Sequence, residues 1–301
     1  MSDGPILVIG ASGFLGRTLI EVLANAGRNA VGLSRVECDI SSPVAVDGAI
    51  GRVQPRLIVN AAAFSGVDAA EIERAGATAV NGEGLAILGS RAAADEIPVI
   101  HISSDYVFDG SRRRPYREDD PVSPLGHYGQ SKAAGETHLA AAQPRHVILR
   151  TAWLFGDHGG GFVKMAIAAA FGCQPIRTIV DQTGSPTAAV DLALAILAVD
   201  AAIKRGFQSW GIYHYAGQEP ASRIDMVNTI LDTLSGLGRS VPEIVPVDLA
   251  DFAGAALRPN YSALDSSRFV RTFDYPASDW RQQLAALVDR SAKKMTEQSI
   301  A

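Results

Sequence analysis

The sequence predicts an α/β fold: a doubly wound parallel sheet followed by a smaller C-terminal substrate lobe. Three observations carry this reading. Short, continuously apolar runs such as Pro5-Ile6-Leu7-Val8-Ile9 read as strands buried on both faces. Helical stripes at three- and four-residue spacing alternate with them, as in Leu15, Leu19, Val22, Leu23 and Ala26. The first run passes through a glycine-spaced turn, Gly10-Ala11-Ser12-Gly13-Phe14-Leu15-Gly16, directly into the first helix.

The elements follow in order. Gly27 stops the first helix, and Ala30–Leu33 is the second strand. Further strands are expected at Leu57–Asn60, Val99–Ser103 and His146–Thr151, with helical segments near Pro43–Gly51, Asp68–Ala94 and Tyr128–Ala142. After Trp153 the alternation loosens. A helix from Phe162 to Phe171, a strand from Ile176 to Val180, an Ala-rich helix from Thr187 and a strand from Gly211 to Tyr215 come next. A helix over 222–235 and a Pro-punctuated tail complete a smaller lobe. The expected division is 1–153 plus roughly 177–214 for a Rossmann-like nucleotide domain, and roughly 154–176 plus 215–301 for the lobe. Arg112-Arg113-Arg114 reads as a solvated loop.

Composition narrows the function. At 47% hydrophobic and 20% charged, the 301-residue chain has enough apolar mass for packed cores and is not a disordered segment. Lys plus Arg is 27 against Asp plus Glu 32, a net charge of −5, so no basic excess points to nucleic acid. Two cysteines, Cys38 and Cys173, without ligand spacing argue against a disulfide framework or structural zinc. The longest apolar stretch, Thr187 to Ile203, carries Asp191 and Asp200, so it reads as a buried helix rather than a membrane span. No cationic segment precedes the first apolar run. The expectation is a cytoplasmic, metal-free enzyme with no membrane or nucleic-acid partner; a homodimer is the open expectation for assembly.

The glycine turn has a physical purpose. Glycines permit the tight bend and let backbone approach a pyrophosphate at a helix N-terminus, which points to a dinucleotide; the alternative is a turn kept for packing alone. NAD sites often place an acid at the end of the second strand. Gly32-Leu33-Ser34-Arg35 has none there, and Arg35 suits a 2′-phosphate unless it is only a surface residue. That favours NADPH, with NADH the alternative. Asp39 and Ile40 are placed to flank the adenine.

Tyr128-Gly129-Gln130-Ser131-Lys132 sets a phenol and an ammonium four residues apart, on one face of a helix. A free tyrosine is a weak acid–base group at neutral pH; a lysine cation beside it favours the phenolate and can also reach ribose hydroxyls. Ser104 follows a strand end, where open α/β sheets bind ligands, and can hydrogen-bond a substrate carbonyl.

These residues resemble the extended short-chain dehydrogenases/reductases and, within them, the dTDP-4-dehydrorhamnose reductases. The matching stretches include Val59–Ser65, Val80–Gly84, His101–Gly110, Tyr128–Glu136, Leu149–Gly156, Asp181–Thr187, Gly211–His214 and Arg258–Asp265, so the likeness spans nearly the whole chain. It implies that NAD(P)H reduces the 4-keto group of dTDP-6-deoxy-L-lyxo-4-hexulose to dTDP-L-rhamnose. By motif position Tyr128 is the proton donor, Lys132 its tuner and ribose contact, and Ser104 the carbonyl-orienting hydroxyl. Cofactor contacts fall on Gly10, Ser12, Gly13, Phe14, Leu15, Gly16, Ser34, Arg35, Asp39, Ile40, Ala61, Ala62, Ala63, Asn81, Tyr128 and Lys132. Sugar-nucleotide contacts fall on Ser65, Asp105, Tyr106, Trp153 and Arg258.

The chain departs from that pattern in three places. Phe14 stands where these reductases commonly have Gln, the second-strand region differs, and no glutamate cluster can be placed for the magnesium ion through which some members dimerise, so no metal is expected. Competing readings are a reductase of another nucleotide-4-ketosugar, a sugar-nucleotide epimerase or dehydratase, and a non-catalytic NADP-binding regulatory subunit. Tyr106, not Glu, after Asp105 argues against dehydration, and the presence of both Tyr128 and Lys132 argues against a non-catalytic subunit.

Overall fold

The computed structural model describes residues 4–251, 254 and 256–300. The first half runs β1 (Ile6–Ile9), α1 (Phe14–Asn25), β2 (Ala30–Leu33), α2 (Pro43–Val53), β3 (Leu57–Asn60), α3 (Val67–Ile72), α4 (Arg74–Ala77), a π-helical turn (Thr78–Glu83), α5 (Gly84–Ala94), β4 (Val99–Ser104), α6 (His127–Ala142) and β5 (His146–Thr151). The second half runs β6 (Leu154–Phe155), α7 (Phe162–Phe171), β7 (Ile176–Ile179), β8 (Thr183–Gly184), β9 (Thr187–Ala188), α8 (Ala189–Lys204), β10 (Gly211–His214), β11 (Ala221–Ser222), α9 (Arg223–Gly236), β12 (Ile244–Val247), α10 (Ser267–Phe273) and α11 (Trp280–Ile300).

Six strands make one parallel sheet in the order β2-β1-β3-β4-β5-β10. The chain leaves β1 toward β2 on one side and reaches β3 on the other. That reversal opens a crevice over the carboxyl ends of β1 and β3, where such folds bind ligands. Every residue of β1, β3 and β5 is buried, as the apolar run of β1 and the apolar centres of the other two require, with Asn60, His146, Arg150 and Thr151 as buried polar ends. One face is covered by α1 and α8, with Leu19 and Leu23 in the same core as Leu192, Ile196 and Val199. The other is covered by α2, α5 and α6, through Val46, Ile50, Leu85, Leu88 and Leu139. Among the described residues no helix is long and apolar enough to cross a membrane, and the stretch read from Thr187 forms the buried helix α8.

The lobe has its own core, in which Ile167 of α7, Met226 and Ile230 of α9, and Trp280 and Leu284 of α11 meet. Packing cuts across the sequence boundaries in two places. The strand read at Ile176–Val180 pairs with β12 in the lobe rather than joining the main sheet. Phe269 and Phe273 of α10, in a stretch read as lobe, belong to the core over α1 and α8. Residues 1 and 301, the outer ends of the expected division, lie outside the described residues.

Two regions differ from the sequence reading in detail. The tail holds α10 and α11, whose starts follow Ser266 and Asp279 but lack a long preceding apolar run. The stretch 68–94, read as helical, is four pieces. Glu73 (φ −99°, ψ 49°) leaves the helical region and separates α3 from α4. The π-turn then rotates Asn81 inward, where Gly135 of α6 admits its carbonyl; a Cβ on Gly135 would lie 2.0 Å from that oxygen. Such turns leave no mark in hydrophobic spacing. The Arg112–Arg114 loop is exposed, and Arg114 donates two 2.8 Å bonds to Asp120.

Candidate active site

The glycine turn is built for close approach. Gly10 has φ +83°, and a Cβ there would sit 2.6 Å from the Ala62 amide nitrogen. A Cβ on Gly16 would lie 2.1 Å from the Gly10 carbonyl oxygen, so α1 can lie against the turn only with glycine there. α1 begins at Phe14 with no side-chain cap from Gly13, which leaves first-turn amides facing the crevice with no protein acceptor. These features fit a pyrophosphate. Ser12 is exposed, and its carbonyl accepts from Arg17 Nε at 2.9 Å. Phe14 turns its ring against Gly156 and Gly159 of the loop after β6, which gives this departure from the reductase pattern a packing role.

At the end of β2, Ser34 and Arg35 lie beside the turn, where the Leu33 carbonyl accepts from the Gly10 and Ala11 amides. Arg35 is exposed and stands 3.6 Å from Asp39. Ile40 is buried against Gly84. The sequence window 32–35 holds no acid, but the structure brings one there: the Glu37 carboxylate accepts from the Ser34 amide and hydroxyl at 2.8 and 2.7 Å.

A cavity of about 580 Å³ opens between the sheet and the lobe, and Ser104, Tyr128 and Lys132 all line it. So do Gly13, Phe14 and Leu15 of the turn, Ala61 and Ala63 after β3, and Ser65, Asp105, Tyr106 and Trp153. Burial and the neighbouring Asp105 and Tyr106 push the Tyr128 phenol up to about 12, while a hydrogen bond with Ser104 opposes them. The lysine ammonium is occupied elsewhere: it donates to the Ile102 carbonyl at 2.6 Å and stands 3.3 Å from His101 Nε2. Its own burial lowers it to about 8. Lys132 is therefore at the site, with its ammonium held on the Ile102 carbonyl beside the His101 ring.

Asn81 is not on the cavity wall. Its amide accepts from the Phe64 amide at 2.9 Å and donates to the Phe64 carbonyl and Ser131 Oγ, each at 3.0 Å, so it fixes the loop after β3 from behind. Ala62 likewise turns its amide to Asn60 Oδ1 at 3.1 Å.

On the lobe side the structure adds residues that sequence reasoning missed. Arg223 lies flat over Trp153 at 3.6 Å and over Phe162 at 5.1 Å. Burial lowers it to about 10, which leaves it a cation at neutral pH. It also lines a second cavity of about 440 Å³ with Arg177, Gln182, Phe162 and Arg258. Arg258 reaches that cavity while paired to Asp68 at 2.6 Å. Trp153 holds φ +46°, and its ring lies on Gly184, where a Cβ would be 2.4 Å from Cε2. Asp105 accepts from Ser104 at 3.0 Å and Ser262 at 2.6 Å, and burial raises its carboxyl to about 6. The Ser222–Asp225 capping box marks the start of α9 in sequence. Nothing in the sequence marks Arg223 as facing Trp153. Among the described residues no three His, Cys, Asp or Glu side chains converge as a metal site.

Comparison with known proteins agrees with this geometry. The family model described as the RmlD substrate binding domain matches residues 4–293. A dTDP-4-dehydrorhamnose reductase of Aggregatibacter actinomycetemcomitans is 36% identical over 283 residues, covering 93% of this chain and 96% of the relative. A dTDP-4-keto-6-deoxy-D-glucose reductase of Streptomyces niveus is 34% identical over 279 residues, covering 92% and 94%. The crystal structure of dTDP-4-dehydrorhamnose reductase from Bacillus anthracis, in complex with NADP, superposes with a TM-score of 0.87 at 28% identity, covering 95% of this chain and 99% of that one.

Proposed function

Because the chain belongs to the RmlD substrate binding domain family, we propose that it reduces the 4-keto group of dTDP-6-deoxy-L-lyxo-4-hexulose to dTDP-L-rhamnose with NADPH, NADH being the alternative donor. The observation that carries the reading is the convergence of Ser104, Tyr128 and Lys132 with the glycine turn around one cavity. The sheet domain, 1–153 with roughly 177–214, would hold the cofactor, and the lobe, roughly 154–176 with 215–301, would close over the sugar nucleotide.

The uncapped amides of α1, with Ser34, Arg35 and Lys132, are the groups that would hold the cofactor, which when bound supplies the hydride. The protein supplies the proton and the orientation. Ser104 Oγ–H, which donates to Asp105 Oδ1 without substrate, would turn to the substrate carbonyl and polarise it. Reduction at carbon leaves an alkoxide oxygen, and the Tyr128 phenol donates its proton there. A phenol held near 12 keeps that proton at neutral pH until the alkoxide, a stronger base, forms. Trp153, Arg223 and Tyr106 give the cavity a flat, cationic wall suited to a sugar diphosphate. We place the enzyme in the cytoplasm, and a homodimer as its assembly is checked by sedimentation.

The test is NADPH oxidation with the dTDP-ketosugar, with the product identified by NMR. Oxidation with dTDP-L-rhamnose as product is expected, and Tyr128→Phe should lower kcat about 10²–10⁴-fold. No turnover by protein that binds NADPH overturns the substrate assignment. A second reading, reduction of dTDP-4-keto-6-deoxy-D-glucose, has the Streptomyces niveus relative behind it. The same assay with that sugar separates the two, because the ketosugars differ in configuration at C3 and C5 and only contacts to the sugar itself can discriminate them.

A further inference from the structure

The proposed reduction uses the carboxyl ends of the strands, but one carboxylate there has no part in it. Glu37 Oε2 accepts two hydrogen bonds from Ser34, one from the amide and one from the hydroxyl. These bonds hold the Glu37 carboxyl below its usual range, so it is ionised at working pH. Ser34 directly follows Leu33, whose carbonyl anchors Gly10 and Ala11 at 2.9 and 3.0 Å. The docked carboxylate therefore stands one residue from the glycine turn. Beside it Arg35 projects into solvent with its side chain 80% exposed, only loosely restrained by Asp39 at 3.6 Å. Asp39 is in turn held by the Ser41 amide and hydroxyl at 3.0 and 2.6 Å.

In this fold the adenosine ribose lies beyond the end of the second strand. A bare ribose presents hydroxyl donors there, which a carboxylate accepts. A 2′-phosphate presents only acceptors and about two negative charges, so it needs donors and a cation and is repelled by a carboxylate. Ser34 has the donors, but Glu37 occupies both.

We propose that Glu37 sets the cofactor preference of this chain. Docked on Ser34, it favours an unphosphorylated ribose. Displaced from Ser34, it frees an N–H and an O–H beside Arg35 for a 2′-phosphate. The proposal rests on the dinucleotide reading of the glycine turn and adds the residue that decides between its two forms.

The turn does not depend on the glutamate side chain, since the Glu37 and Cys38 amides also donate to the Ser34 carbonyl at 3.1 and 2.9 Å. The probes are AMP and adenosine 2′,5′-bisphosphate, which carry no nicotinamide, and the readout is their equilibrium binding by calorimetry. In Glu37→Ala the bisphosphate should tighten about ten-fold relative to AMP. Glu37→Gln, which keeps an acceptor for Ser34 without charge, should move the ratio part of the way. Arg35→Ala should move it in the opposite direction. An unchanged ratio in Glu37→Ala, with both nucleotides still binding, overturns the proposal alone. Failure of the unaltered protein to bind either nucleotide overturns the dinucleotide reading, and the proposal with it.

Discussion

Two polar interiors meet at the cavity, and they are finished to different degrees. Beneath the sheet, Glu136 accepts from Arg150 at 2.9 and 2.6 Å and from Ser103 at 2.5 Å, while Lys132, His101 and Asn60 continue the chain of contacts. Each of these buried groups is answered by protein. On the lobe side, Trp153 Nε1 and Thr178 Oγ1 are buried with no hydrogen-bond partner among the described residues, and Trp153 sits at φ +46°. Unpaired polar atoms and a left-handed tryptophan each cost free energy, and such costs concentrate where a ligand is received. The sheet side is a rigid base that holds the acid–base trio in place. The lobe side is the part left for substrate to complete.

The sharpest way to break that contrast is to cut the base. Arg150→Met leaves Glu136 buried without its cation, which should cost about 3–5 kcal/mol of unfolding free energy. Adding Glu136→Leu should restore most of it, since two apolar groups no longer leave a buried charge. Urea denaturation of both variants measures this. A loss under about 1 kcal/mol for the single variant would show that the sheet interior is no more rigid than the lobe.

Asp105 sits on the border, and pH separates its contribution. Its folded carboxyl is raised to about 6 from 3.8, chiefly by burial, so the folded state binds its proton more tightly than the unfolded state does. Stability from this group is fully present below pH 3.8 and is lost as pH rises through about 6, a total of about 3 kcal/mol. His101 and His214 act in the other direction, because burial lowers both and the unfolded chain takes up their protons first. Comparing Asp105→Asn with the unaltered protein cancels the histidines. The variant's relative stability should rise from pH 4 to pH 7. A flat difference would mean that Asp105 is not buried as a carboxylate in solution.

Gly184→Ala acts on the lobe wall alone. The new Cβ meets the Trp153 ring, so the ring must move, at about 1–3 kcal/mol. KM for the sugar nucleotide should rise while binding of adenosine fragments stays unchanged, because the glycine turn lies on the other side of the cavity. Equal losses at both would merge the two regions into one.

The same contrast explains what could be read in advance. The sheet was legible because burial on both faces writes itself as unbroken apolar runs, and the glycine turn because its spacing is local. Tyr128 and Lys132 share one helix, and Ser104 ends one strand, so each could be placed from its own neighbourhood. Lys132 was located but its partners were not: the Ile102 carbonyl and His101 ring that engage it lie on another element. The lobe was harder because its surface is assembled from segments far apart in the chain. Trp153, Gly184, Arg223 and Arg258 meet only after β8, α9 and the tail have folded together. Glu37 escaped for a smaller reason, since a turn carries it back three residues to Ser34.

Arg223 and Arg258 give the finest division, within the lobe itself. Both are cations on the second cavity, but their electrostatic states differ. Arg258 is already neutralised by Asp68 at 2.6 Å, so a diphosphate arriving there gains a cation whose charge is largely spent. Arg223 spends its flat face on Trp153 and Phe162, and burial lowers it, with Asp105 opposing that from a distance and no carboxylate among the described residues in an ion pair with it. Its N–H edge is the stronger anion partner of the two. Arg223→Lys retains the charge but loses the plane that stacks on Trp153, and KM should rise about ten-fold, or about 1.4 kcal/mol, with kcat little changed. Arg258→Lys should raise KM only about two- to three-fold, since its ion pair with Asp68 survives. The reverse order in steady-state kinetics would move the diphosphate from the Trp153 wall to the Asp68 side of the lobe, and with it the part of the lobe that substrate completes.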